Sequence, residues 1–188
     1  MGTIKTTNIE PIADNGTVTL GGSGDTFTVP SGVTVNMSNA TQTGVGGVNT
    51  PNFKANQASA QNLSNNANTV IIFETEVFDT DSDYDTSNGR FTPSVAGKYF
   101  FHATVRLDDS LNTGRFNISL YKNTTESAFF QHRQSGNDLD NSVQISAILE
   151  ANGSSDYFYI SCFQEEGGTT ATNGDAKSTY FSGYKILT

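Results

Sequence analysis

The sequence has no tryptophan, a single cysteine, two histidines and four prolines, and only 15% of its 188 residues are charged. Each shortage excludes something. Cys162 has no second cysteine with which to form an intrachain disulfide. No stretch approaches the ~18 consecutive apolar residues of a membrane helix. The opening Met1-Gly-Thr-Ile-Lys-Thr-Thr-Asn8 is not followed by an apolar run, which predicts synthesis in a cytoplasm without a signal peptide. Ten basic residues stand against nineteen acidic ones, giving a formal charge of −9, and the basic ones do not cluster. Nucleic-acid backbones are held mainly by clustered Lys and Arg, so nucleic acid is not an expected partner. Neither a Walker motif, a dinucleotide fingerprint nor paired zinc ligands are present.

Thr, Ser, Asn, Gly, 13 Phe and 7 Tyr supply the bulk of the chain. Thr and the aromatics suit a pleated sheet, Asn and Gly suit its turns, and few helix-favouring runs remain. The composition predicts an all-β protein.

Two regions differ in texture. Residues 1–50 lack Tyr and have one Phe. Within them Thr17-Val-Thr-Leu20, Thr26-Phe-Thr-Val29 and Gly32-Val-Thr-Val-Asn-Met37 alternate polar and apolar residues, the period of a half-buried strand. Gly21-Gly-Ser-Gly-Asp25 and Pro30-Ser-Gly32 supply turns. The three apolar stripes bury too little to hold a module of that size alone. Either the segment is unfolded until bound, or copies of the chain pool their stripes.

Gln42-Thr-Gly-Val-Gly-Gly-Val-Asn-Thr-Pro51 reads as a hinge. Beyond it, strand-like runs recur at 68–73, 97–107, 115–121, 127–132, 141–150, 156–164 and 178–187, the pattern of a sandwich. The Asn- and Gln-rich stretch 54–63 reads as loop or irregular strand. Period-2 geometry places Tyr99, Phe101, Ala103, Val105 and Leu107 on one face. Phe116, Ile118 and Leu120 make a second apolar stripe, and Val143, Ile145, Ala147 and Leu149 a third. Phe100, His102 and Thr104 then fall on the opposite face, where Phe100 needs cover from a loop or from another chain.

Residues 73–103 carry a specific spacing. Phe73 is followed by Asp79, Tyr84, Phe91 and Gly97, and then by Gly97-Lys-Tyr99-Phe-Phe101, with Ala103 where an aromatic is expected. Phe53-Lys-Ala55, Gly89-Arg-Phe-Thr-Pro93 and Tyr180-Phe-Ser-Gly-Tyr184 extend the pattern. This resembles the C1q domain, the globular head of the C1q and tumour-necrosis-factor superfamily, over residues 51–188. The resemblance implies a ten-stranded jelly-roll sandwich that packs as a homotrimer. It also implies that the sheet surface carrying Phe100, His102 and Thr104 surrounds the threefold axis. By strand parity Gln144, Ser146, Ile148 and Phe181 are assigned to the same surface.

Residues 15–32 are similar to the N-terminal regions of virion fibre or appendage proteins of marine tailed phages. The implied design is an N-terminal β-rich stalk on the virion, joined there to other virion proteins, with the trimeric head free to meet a host-surface glycan or protein. The runner-up is a structural capsid or tail decoration without receptor binding. A third class, a glycosidase using two carboxylates, has little support, because nineteen acidic residues make a chance pair easy. No enzyme activity is expected.

Four smaller features complete the reading. Asp79, Asp81 and Asp83 alternate in an acidic run and are candidates for calcium, a hard ion that takes oxygen ligands. As an EF-hand the run fails, because Tyr84 stands at the glycine position and Arg90 at the bidentate glutamate. Repeated about a threefold axis, His102 would give three imidazoles that bind an ion or titrate together, or would simply be hydrogen-bonded to a neighbouring subunit. His132 and Arg133, expected at a strand end in Phe129-Phe-Gln-His-Arg-Gln-Ser135, are candidates for a ligand loop. Cys162 reads as a small buried hydrophobe.

Overall fold

Alternation of large apolar and polar side chains gives a strand one buried and one outward face, and two such sheets closing on each other make a core. The computed structural model describes residues 19–35, 49–108, 113–135 and 142–186. The chain divides into two units, Met1–Val45 and Gly46–Thr188. Among the described residues there is no helix, and so none that is long and apolar enough to cross a membrane.

Among the described residues the second unit holds thirteen strands: β1 (Asn52–Asn56), β2 (Asn62–Leu63), β3 (Asn68–Val70), β4 (Thr75–Asp79), β5 (Tyr84–Asp85), β6 (Arg90–Phe91), β7 (Gly97–Arg106), β8 (Thr113–Lys122), β9 (Thr125–Ser135), β10 (Ser142–Ala151), β11 (Phe158–Gln164), β12 (Thr170–Ala171) and β13 (Tyr180–Lys185). Two antiparallel sheets form, an inner one in the order β10-β7-β13-β1-β4 and an outer one in the order β5-β6-β11-β8-β9. These two paths account for the ten strands expected; β3 adds to the outer sheet through β11, and β12 pairs with β2.

The core is aromatic. From β7, Tyr99, Phe101, Ala103 and Val105 are all buried, as are Phe116, Ile118 and Leu120 of β8. Phe53 stacks on Phe91 with ring centres 4.2 Å apart, and Phe101 lies 4.5 Å from Phe158. The spacing from Phe73 to Phe101 thus encodes a ring cluster bridging the two sheets. Tyr84 fits there because its hydroxyl donates to the Phe73 carbonyl at 3.2 Å. Gly89, at φ 71°, sits where a Cβ would lie 2.6 Å from the Ile71 carbonyl oxygen, so only glycine closes the turn before β6. Cys162 is buried, and burial pushes its thiol well above the ordinary range.

Two expectations meet different outcomes. Residues 54–63, read as loop or irregular strand, begin in β1, whose pairing with β4 shifts register between Lys54 and Ala55 and whose Phe53 and Ala55 point into the core. The amide-rich sequence is tolerated because the buried Gln57 is bonded on both sides: its Nε2 donates to the Ile72 carbonyl at 2.9 Å, and its Oε1 accepts from the Thr172 hydroxyl at 2.7 Å.

Phe181 is the second. It lies in the core, fully buried, 4.9 Å from the Phe53 ring and 6.0 Å from that of Phe101. Its β13 partner in the ladder is Ala103, a core residue of β7.

In the first unit the expected turns are present. The Asp25 N–H donates to the Gly22 carbonyl at 3.1 Å, and the Val33 N–H to the Pro30 carbonyl at 3.3 Å. The expected strand at residues 26–29 has no ladder partner among the described residues, and Leu20, Phe27, Val29, Val33 and Val35 are all exposed. The ends of the other two stripes, Thr17, Val18, Asn36 and Met37, fall outside the described residues.

Placing Phe181 in the core has a measurable consequence. Phe181→Ala should lower stability by roughly 3–5 kcal/mol through the cavity it leaves. This would be read as a lower urea midpoint at unchanged slope; a loss under about 1 kcal/mol, typical of a surface site, would contradict the placement.

Candidate functional site

The outward face of the inner sheet is built row by row from the ladder. Ile148 of β10, Phe100 of β7, Tyr184 of β13 and Asn52 of β1 form one row; Ser146, His102, Ser182 and Lys54 form the next, which ends on Phe78 of β4; Gln144, Thr104, Tyr180 and Asn56 form a third. Six of the seven residues assigned to this face from sequence, Phe100, His102, Thr104, Gln144, Ser146 and Ile148, therefore share it. Phe181 does not; Tyr180, Ser182 and Tyr184 take its place.

One row of that face and its β4 end are apolar. Ile148 is 59% exposed, Phe78 47% and Tyr184 44%. The Phe100 and Tyr184 rings meet at 5.4 Å and form a continuous patch with Ile148. Shallow cavities of about 440 Å³ lie at either side. One is lined by Lys54, Phe78, Ser182 and Tyr184, the other by His102, Gln144, Ser146 and the exposed Phe129 and Phe130 of β9.

Polar groups in the middle row are tied within the chain. His102 Nε2 lies 3.2 Å from the Tyr180 hydroxyl, and Lys54 Nζ sits 4.7 Å over the same tyrosine ring. The expected partner of His102 is thus found on its own sheet.

The sequence missed Tyr180 and Tyr184 because Tyr180-Phe-Ser-Gly-Tyr184 places aromatics on both parities. Gly183 was the available signal. A Cβ there would lie 2.7 Å from the Phe101 ring and 2.9 Å from that of Phe53, so the face shared by Gly183 and Phe181 is the crowded, inner one.

The acidic run does not converge. The Asp79 carboxylate accepts from the Tyr84 N–H at 2.7 Å and from the Asp81 N–H at 3.4 Å. Asp83 accepts from the Ser94 N–H at 2.8 Å and its hydroxyl at 3.0 Å. Burial holds the Asp83 carboxyl above its ordinary range, against the pull of the Ser94 bonds. Among the described residues no three His, Cys, Asp or Glu side chains gather where a metal ion could sit. In this arrangement the carboxylates of Asp79 and Asp83 staple the loop between β4 and β6.

His132 and Arg133 likewise belong to a strand rather than a loop, since β9 runs on to Ser135. As neighbours in a strand they point to opposite faces. His132 lies opposite Phe116, and Arg133 is exposed on the outer face opposite Arg115. They do not form one site.

With the five-stranded and six-stranded sheets and the ring cluster in place, comparison with known proteins is decisive. Residues 52–186 match the C1q domain. The chain belongs to the C1q domain family. Its jelly roll is similar to the globular domain of zebrafish complement 1qA protein, at 18% identity and a TM-score of 0.53 over 73% of this chain and 98% of that one. It is equally similar to murine APRIL, at 12% identity and a TM-score of 0.53 over 72% of this chain and 98% of that one. At these identities the likeness is one of fold, a C1q/TNF-like jelly roll. No curated protein matches the sequence.

The loop-staple reading of Asp79 separates from a metal site in solution. Asp79→Ala should cost about 1–2 kcal/mol, the loss of a charge-assisted bond to a backbone N–H. Millimolar calcium should leave the melting temperature of the chelator-treated protein where it was; a rise on adding calcium that Asp79→Ala abolishes would restore the metal.

Proposed function

We propose that this C1q-domain chain is a virion appendage of a tailed phage. In this reading residues 1–50 form a stalk that joins other virion proteins, and residues 51–188 form a homotrimeric head that attaches to the host surface, made in the host cytoplasm and carried on the virion. The observation that carries it is the apolar outward face of the inner sheet. Ile148, Tyr184 and Phe78 are each more than two-fifths exposed on a single chain. Patches of that kind on a well-packed sandwich mark contact with another protein. C1q/TNF-like domains typically form homotrimers, and sister copies are the partner this face suits.

The first unit supports the same reading. Leu20, Phe27, Val29, Val33 and Val35 are all exposed on one chain, and pooling them among copies would bury them together. The wording of residues 15–32, similar to fibre and appendage proteins, supports a virion setting. Attachment through three copies multiplies weak contacts by effective concentration, so a shallow polar site on each head is sufficient. The role is binding without catalysis and without a cofactor; the thiol of Cys162, sealed in the core, offers no nucleophile.

The test is competition. Purified full-length protein should adhere to host cells and slow adsorption of the virions that carry it, and antibody against the head should label those virions at an appendage. Labelling without adhesion or competition would leave a decoration protein; no labelling of virions would overturn the reading.

A further inference from the structure

An asparagine followed by glycine is a place where the chain can attack itself, because glycine has no Cβ to hinder the approach of its own backbone nitrogen. Four such pairs occur, beginning at Asn15, Asn88, Asn152 and Asn173, and the last three lie among the described residues. Asn152 opens the turn that joins β10 to β11, and its carboxamide is held by that turn at both atoms. Its Oδ1 accepts from three backbone N–H groups, those of Ser154 at 3.0 Å, Ser155 at 3.0 Å and Asp156 at 3.1 Å. Its Nδ2 donates to the Ser155 hydroxyl at 2.9 Å. Among the described residues no backbone carbonyl takes the Gly153 N–H. Asn152, Ser154 and Ser155 are exposed, so water reaches the whole group.

We infer that Asn152 is a self-deamidation site. The Gly153 nitrogen loses its proton to hydroxide and bonds to Asn152 Cγ, and the carbonyl electron pair moves onto Oδ1. The charge that develops there meets three N–H groups already in place, the arrangement that stabilises an oxyanion in acyl transfer. The Cγ–Nδ2 bond then breaks. The nitrogen leaves as ammonia with a proton from the Ser155 hydroxyl, which water replaces, so that hydroxide is returned. Water opens the cyclic imide at either carbonyl and gives aspartate or isoaspartate, with no carbon oxidised or reduced. The product carries one negative charge beyond the −9 of the chain. Isoaspartate also lengthens the main chain by a methylene where there is no slack, since a Cβ on Gly153 would sit 2.2 Å from the Ala96 nitrogen.

The other two described pairs lack this set. The Gly89 N–H donates to the Asp85 carbonyl at 2.9 Å, which occupies the nucleophile, and Asn88 Oδ1 accepts from a single N–H, that of Arg90 at 3.0 Å. At Asn173 the engaged atom is Nδ2, which donates to Asp108 Oδ1 at 3.1 Å, an atom that must leave rather than the one that must hold charge. Sequence alone makes the three pairs equivalent; the folded chain arranges donors around the carbonyl oxygen at one of them.

The experiment ages the full-length protein in mildly alkaline buffer, folded and in guanidinium chloride, and follows conversion at each Asn–Gly pair by peptide mass spectrometry. In the folded protein Asn152 should deamidate severalfold faster than Asn88 and Asn173, and no slower than it does unfolded. Asn88, with its nucleophile occupied, should be slower folded than unfolded. Ser155→Ala should slow conversion at Asn152 severalfold and leave Asn88 and Asn173 as they were. Slower conversion at Asn152 in the folded protein than in guanidinium chloride, or conversion no faster than at Asn88, would mean that the turn only immobilises the carboxamide, and would overturn the inference. An unchanged rate in a folded Ser155→Ala would overturn the part given to its hydroxyl. The comparison of folded with unfolded wild type decides the matter if that variant does not fold.

Discussion

A single strand governs the architecture. β7 runs Gly97–Arg106 between β10 and β13 in the inner sheet, and its pleat sends Tyr99, Phe101, Ala103 and Val105 into the core while sending Phe100, His102 and Thr104 outward. The inward set is satisfied within the chain by the rings of Phe91, Phe158 and Phe181. The outward set is less covered: among the described residues Phe100 has its ring contact with Tyr184, and the row continues into the exposed Ile148.

That asymmetry divides the molecule's labour. The inner sheet turns exposed Ile148 and Tyr184 outward, whereas the outer sheet turns Arg115, Asn117 and Ser119 outward beside Phe163. The loops between β4 and β6 are stapled by Asp79 and Asp83, which fixes the signature residue Tyr84 against Phe73. Carboxylates here act as acceptors for the backbone, holding the turns that let ring packing proceed beneath them.

Most of the sandwich was legible because its stripes are long and strictly alternating: the core faces of β7, β8 and β10 follow directly from period two. Legibility failed where periodicity is locally ambiguous. Aromatics at 180, 181 and 184 satisfy either parity, and only the crowding around Gly183 breaks the tie in favour of Phe181 inward. β1 was hidden by its amides, since Asn and Gln argue for loop unless buried partners such as the Ile72 carbonyl and Thr172 are known. The acidic run suggested an ion because composition reports which ligands are present, while coordination depends on where their oxygens point.

The claim on which the account stands is that the face of Phe100, Tyr184 and Ile148 is covered by sister chains. Sedimentation equilibrium of the full-length protein at micromolar concentration tests it most directly. Closed threefold assembly predicts a single species of roughly 60 kDa, three times the 20.1 kDa chain. A species at 20.1 kDa, with those side chains left in water, would contradict it.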